Sequence, residues 1–308
     1  MAIFRIFEGG VIRGSFKGGG AEASRLYPVG KRAFRIKSVD WHRRWAFASG
    51  KVVSIMTVMT FRDKLEKRIT ATGSNLCVGL DIRATTADAA TQQQILEIIE
   101  QTLPYAAAFK PNSAYFEALG WQGMKMLTEV LKAIPAEVPI VLDVKRGDIG
   151  ETQGYYAKAA FDELGVDAVT LNPYMGRDTL DPFLKYADKG LYLLGVTSNK
   201  GAADIELQHV GERQVFEIVA DMTQASPQVG LVMGLTNAAA SVLARTPDVP
   251  LLIPGLGAQG GDLAALKGCG RQAPLLVNVS RGILYQDDGK SYAERAKFWM
   301  ESIQMALR

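Results

Sequence analysis

Eight short apolar runs recur between residues 76 and 279, and each is followed by enough chain to carry a helix back to the start of the next. They are Leu76–Asp81, Ala106–Lys110, Pro139–Asp143, Ala168–Asn172, Gly190–Val196, Gly230–Leu235, Leu251–Pro254 and Leu275–Val279. Helix-patterned stretches lie between them at Gln92–Thr102, Gly123–Ala133, Thr152–Leu164, Arg213–Thr223 and Asn237–Ala244, and an amphipathic Phe61–Ile69 precedes the first. Strands spaced this far apart are joined by crossovers and lie parallel, because antiparallel neighbours need only a tight turn. Eight such units predict an α/β fold, a (β/α)8 TIM barrel, with an open doubly wound sheet as the alternative that periodicity does not separate. In both architectures ligands bind at the carboxyl ends of the strands.

Polar residues collect at those ends. The first run stops at Asp81, the second at Lys110 and the third at Asp143 and Lys145; the fifth enters Thr197-Ser198-Asn199, and the eighth leads through Asn278 into Ser280-Arg281-Gly282. The densest cluster is Asp143-Val-Lys145-Arg-Gly-Asp148, where a strand's period of two sets Asp143 and Lys145 on one face and leaves Asp148 in the turn beyond. Charges at the edge of an apolar core are costly to desolvate unless they pair, so the cluster is either a structural ion-pair network or a functional site. Five strands of eight ending this way favour the site. The glycine-rich Pro254–Asp262 follows the seventh run and Arg281 the eighth. Glycines let backbone N–H groups approach an anion and an arginine supplies a charged fork, so the pair predicts a phosphate grip where barrels of this kind bind phosphate.

Composition narrows the chemistry. The 308 residues, 48% hydrophobic and 22% charged, suit a globular protein, and no apolar stretch approaches the ~20 residues of a membrane helix. Two cysteines, Cys77 and Cys269, make no disulfide framework; Cys77 in its apolar run reads as a small hydrophobe, and a reducing compartment, the cytoplasm by default, follows. With only His42 and His209, a histidine triad or histidine-rich metal site is disfavoured, and proton transfer falls to Asp, Glu or Lys. Residues 1–53 hold eleven Lys and Arg against three acids, although the whole chain has 35 against 32, so the remainder is mildly acidic and suggests no nucleic-acid partner. This head lacks sustained periodicity. It is expected to be a basic, disordered extension over residues 1–55, ahead of a single catalytic barrel over 56–308. Three origins stay open: an upstream extension of the reading frame, an Arg-rich presequence that would imply organellar import, or a genuine basic arm.

Taken in order, Gly79-Leu-Asp81, Phe109-Lys110-Pro-Asn112, Asp143-Val-Lys145-Arg-Gly-Asp148-Ile-Gly-Glu-Thr152, Asn172-Pro-Tyr-Met-Gly176, Thr197-Ser198-Asn199, Gly257-Ala-Gln259-Gly-Gly261 and Ser280-Arg281-Gly282 resemble the orotidine 5′-phosphate decarboxylases, in particular their longer bacterial branch. The resemblance runs from about Thr60 to the C-terminus. It implies decarboxylation of orotidine 5′-monophosphate to uridine 5′-monophosphate with no metal and no cofactor, in pyrimidine biosynthesis. Lys110, Asp143, Lys145 and Asp148 would form an alternating charge array with Lys145 as proton donor. Asp81 would bind ribose hydroxyls, Ser198 the pyrimidine edge, and Gln259, Arg281 and Gly282 the phosphate. A homodimer is implied too, with Asp148 and Thr152 reaching the neighbouring subunit's site. Two rivals remain: a Mg2+-dependent sugar-phosphate decarboxylase or synthase of the same barrel group, and a non-catalytic phosphate-binding barrel. The first would need an acid at the end of the second strand, where this chain has Lys110.

Overall fold

The computed structural model describes residues 58–254, 263–267 and 270–308 in full, and within residues 1–57 the backbone of five strand segments. Two compact units divide between Met59 and Thr60. In the first, Ala2–Phe7, Val11–Phe16 and Arg25–Pro28 form an antiparallel sheet, and His42–Ala48 pairs antiparallel with Lys51–Thr57. The rest of that unit lies outside the described residues, and the expected disorder over 1–55 falls partly there and partly on these strand segments.

The second unit contains strands β1 (Leu76–Gly79), β2 (Ala108–Lys110), β3 (Val141–Arg146), β4 (Ala168–Leu171), β5 (Gly190–Val196), β6 (Val229–Met233), β7 (Leu251–Ile253) and β8 (Leu275–Val279). Every pair of sequence neighbours except β2 and β3 forms a parallel ladder, and β8 also pairs with β1. Between β2 and β3 the seam closes through bridges Phe109 to Ile140 and Asn112 to Asp143. The β8–β1 pairing together with these bridges rules out the open sheet; this is a (β/α)8 barrel.

Helices α1 (Phe61–Thr72), α2 (Ala89–Thr102), α3 (Gly120–Ala133), α4 (Gly150–Lys158), α5 (Val215–Asp221), α6 (Ala240–Ala244) and α7 (Tyr292–Leu307) are the main ones outside the sheet. Among the described residues no helix is long and apolar enough to cross a membrane. Helix α1 starts where Thr60 and Asp63 exchange side-chain and backbone bonds in a capping box, and stops at Gly73, whose φ of 60° suits a residue without Cβ. The Phe61 N–H donates to the Asp188 carbonyl at 2.7 Å, just ahead of β5, so α1 lies against the amino ends of the strands. Its Phe61 and Leu65 join an interior cluster of one residue per strand: Cys77, Ala108, Val141, Ala168, Tyr192, Val232, Leu252 and Leu276. These plug the lower barrel. A larger apolar layer fills the space between sheet and helices.

Two residues further along each strand the side chains again face inward. That layer reads Gly79, Lys110, Asp143, Thr170, Leu194, Gly234, Pro254 and Asn278. The barrel thus changes from apolar filling to polar chemistry within one step of its pleat.

Candidate active site

The polar layer opens into a cavity of about 660 Å3 whose wall includes Asp81, Lys110, Asp143, Lys145, Ser198 and Arg281. Six residues expected from five different strand ends therefore converge on one mouth. At its floor Lys110 Nζ donates to Asp143 Oδ2 at 2.8 Å, and Lys145 Nζ to Asp143 Oδ1 at 2.5 Å. Lys110 is only 3% exposed and Asp143 9%, while the Lys145 side chain is 48% exposed and faces the opening. One carboxylate thus bridges a buried ammonium and an accessible one.

Electrostatics follow from that bridge. Burial alone would depress the Lys110 ammonium, but Asp143 and then Asp81 outweigh it and hold Lys110 above its ordinary value. Burial works equally against the Asp143 carboxylate; Lys110 and Lys145 overrule it and keep Asp143 well below the usual carboxylate range. Both members are charged at neutral pH. Beneath them burial pushes the Cys77 thiol up to about 12, leaving it a protonated, 0% exposed filler as expected. Cys269 lies outside the described residues.

Around the wall several buried acceptors have no protein partner among the described residues: Asp81 Oδ1, Ser198 Oγ, Asn278 Oδ1 and Ser280 Oγ. An unsatisfied buried polar group costs about 1–3 kcal/mol, so four around one cavity are a reserve for a polar ligand. The strand ends are held firmly. Tyr285 donates its hydroxyl to the Asp81 carbonyl at 2.9 Å and accepts the Arg83 N–H at 2.6 Å. Glu206 accepts the Thr197 N–H at 2.6 Å, and the Asn237 amide donates to the Thr197 and Asn199 carbonyls at 2.8 Å each, which pins both sides of Ser198.

Other expected residues stand elsewhere. Asp148 is partly buried in the turn, where its Oδ1 accepts the Ile149 N–H at 2.8 Å, and it is not in the cavity wall of this single chain. Thr152 is exposed on the first turns of α4. Gly282 is buried, and a Cβ there would meet the Trp299 indole nitrogen at 2.8 Å, so its position reflects packing against α7. Gln259 and the glycine-rich loop around it lie outside the described residues. Missed by sequence reading were Thr170, Asn112, Tyr115 and Arg83, all in the cavity wall. Thr170 carried a usable signal: a polar side chain at an inward position of the otherwise apolar Ala168–Leu171.

The match to the model of the orotidine 5′-phosphate decarboxylase / HUMPS family spans residues 74–296. The chain belongs to this family. The orotidine 5′-phosphate decarboxylase of Herpetosiphon aurantiacus is 44% identical over 252 residues, which cover 77% of this chain and 94% of the relative. That of Dehalococcoides mccartyi strain 195 is 42% identical, over 77% of this chain and 93% of the relative. Among solved structures, the OMP decarboxylase of Leishmania donovani superposes with a TM-score of 0.73 at 43% identity, covering 81% of this chain and 99% of that one. Membership makes the chain a carboxy-lyase on a TIM barrel, as the sequence motifs implied.

Proposed function

We propose that this chain converts orotidine 5′-monophosphate to uridine 5′-monophosphate and CO2 by electrostatics alone, with the Lys110–Asp143–Lys145 array as the catalytic device. Loss of CO2 from C6 leaves a carbanion in the plane of the ring, poorly delocalised, and the protein must stabilise it. An ammonium at Lys145 favours that developing charge over the neutral ring carbon, and then gives its proton to C6. Asp143, beside the substrate carboxylate, disfavours the ground state and orients Lys145; Lys110 holds Asp143 from behind. Asp81 takes the ribose hydroxyls, Ser198 the pyrimidine edge, and Arg281 with Gln259 and the Gly282 backbone the phosphate. Phosphate contacts far from C6 turn binding energy into loop closure over the ring.

The observation that carries this reading is the shared Asp143 carboxylate between a buried and an accessible lysine. Lys110 at the end of β2 also speaks against the Mg2+-dependent rival, because an ammonium cannot ligate a cation and repels one. Asp148 and Thr152 belong, in this reading, to the site of a second copy of the chain. Their surroundings fit a dimer face: Ile149, Tyr155, Tyr174 and Met175 are all exposed on the loops and helix that follow β3 and β4. The barrel from Thr60 onward is the catalytic domain and the head an appendage. One assay separates the readings. CO2 release from orotidine monophosphate should persist in excess EDTA; a metal enzyme would stop, and a binding protein would show none.

A further inference from the structure

Strands β3 and β4 pair at Val141 with Ala168 and Leu142 with Val169, then resume only at Arg146 with Leu171. Residues 143–145 therefore face Thr170 alone, in a bulge at the catalytic strand end. A bulge of this kind takes backbone N–H groups out of the ladder. Those of Val144 and Lys145 are both accepted by the Thr170 hydroxyl, at 3.0 and 2.9 Å. The same hydroxyl donates to Asp143 Oδ1 at 3.0 Å. A hydroxyl has one hydrogen and two lone pairs, so every capacity of this 1% exposed side chain is spent on the bulge. Lys145 within it has a φ of 46°, the one positive value outside glycine among the described residues. Such a backbone persists only where its surroundings over-determine it.

We propose that Thr170 is a positioning residue for the decarboxylation: its hydroxyl locks the β3 bulge that sets the direction of the Lys145 side chain and the rotation of the Asp143 carboxylate. Packing needs alone would be met by valine, which has the same shape and is as suited to a strand. Only the hydroxyl can replace the ladder at two adjacent N–H groups and still reach the carboxylate. The inference rests on the decarboxylase reading above, and it places a hydroxyl spent wholly on bonds within the protein in control of the side chain that meets the substrate.

The test compares Thr170→Val and Thr170→Ser in the full chain, by steady-state kinetics with orotidine monophosphate and by hydrogen exchange of the 143–146 segment. Thr170→Val should lower kcat on the order of 100-fold, the scale of an ~1 Å misplacement, with KM changed less than about threefold. Thr170→Ser should keep kcat within about threefold. Exchange should quicken at residues 144 and 145 in the valine variant only. Unchanged kcat in Thr170→Val, equal losses in both variants, or a loss confined to KM would overturn the proposal. If the valine variant does not fold, Thr170→Ala against Thr170→Ser isolates the hydroxyl, since both lack the methyl. A wild-type chain that releases no CO2 refutes the decarboxylase reading instead, and the exchange comparison still decides whether the hydroxyl holds the bulge.

Discussion

Lys110 and Lys145 bind the same carboxylate from opposite environments, and substituting them should have opposite consequences. Lys110→Ala leaves the buried Asp143 with half its compensation, and breaking a buried pair costs about 3–5 kcal/mol, so thermal unfolding should move to markedly lower temperature. Lys145→Ala removes a half-exposed side chain. It should leave the melting temperature nearly unchanged while turnover falls by several orders of magnitude; an active Lys145→Ala protein would refute the role given to it. The pH dependence has a definite sign. Asp143, depressed in the fold, adds stability above the ordinary carboxylate value of ~3.9, and this is lost as pH falls toward its folded value. Lys110, raised in the fold, adds stability below ~10.4, lost as pH rises toward its folded value. The melting-temperature gap between wild type and Asp143→Asn should therefore be widest between those limits and narrow beyond them. At this scale the sequence already showed Asp81, Lys110, Asp143, Lys145, Ser198 and Arg281, because strand period and strand ends suffice to place them. The inward position of Thr170 was legible too, but its work was not, since that depends on a bulge in the neighbouring strand that no local pattern encodes.

Strands were more legible than helices, for a physical reason. An inward-facing barrel strand must be apolar, whereas a helix boundary depends on caps and on tertiary bonds. The stretch Arg213–Thr223 has helical periodicity, yet Arg213 pairs with Val210 in a small ribbon and the helix α5 begins at Val215, after a capping box between Gln214 and Glu217. Asn237 was expected inside a helix; its amide instead ties the loop after β6 to the loop after β5, and α6 starts at Ala240. Helix α1, by contrast, was evident from its amphipathic pattern, but its use as a barrel plug was not. Gly190 marks that contact: a Cβ there would meet the Phe61 ring at 2.2 Å. Gly190→Ala should cost about 1–3 kcal/mol through overpacking, read as a lower denaturation midpoint, without altering KM. An unchanged midpoint would mean that the plug yields freely.

At the scale of the molecule, the placement of the array at the carboxyl ends of the strands was legible in the eightfold strand and helix series, while barrel closure was not, because an open sheet has the same periodicity and only the β8–β1 pairing and the β2–β3 bridges decide it. If the site is shared, inactive Lys145→Ala and inactive Asp148→Ala proteins should complement when mixed under exchange. Each hybrid dimer regains one intact site of two, and an equal mixture approaches about a quarter of wild-type activity. No recovery would place Asp148 and Lys145 in one chain's site. Removing Met1–Met59 should leave folding and turnover of the Thr60–Arg308 unit unaltered, as checked by circular dichroism and the decarboxylation assay. The claim beneath all of this is that the Lys145 ammonium meets a carbanion at C6. By microscopic reversibility the neutral Lys145 amine left after that proton transfer must be able to take the C6 proton of the product back, so the decisive measurement is exchange of that hydrogen in uridine 5′-monophosphate for deuterium in D2O. The account expects enzyme-dependent exchange in the wild type and its loss in Lys145→Ala. Exchange that survives the substitution, or that never occurs, would contradict it.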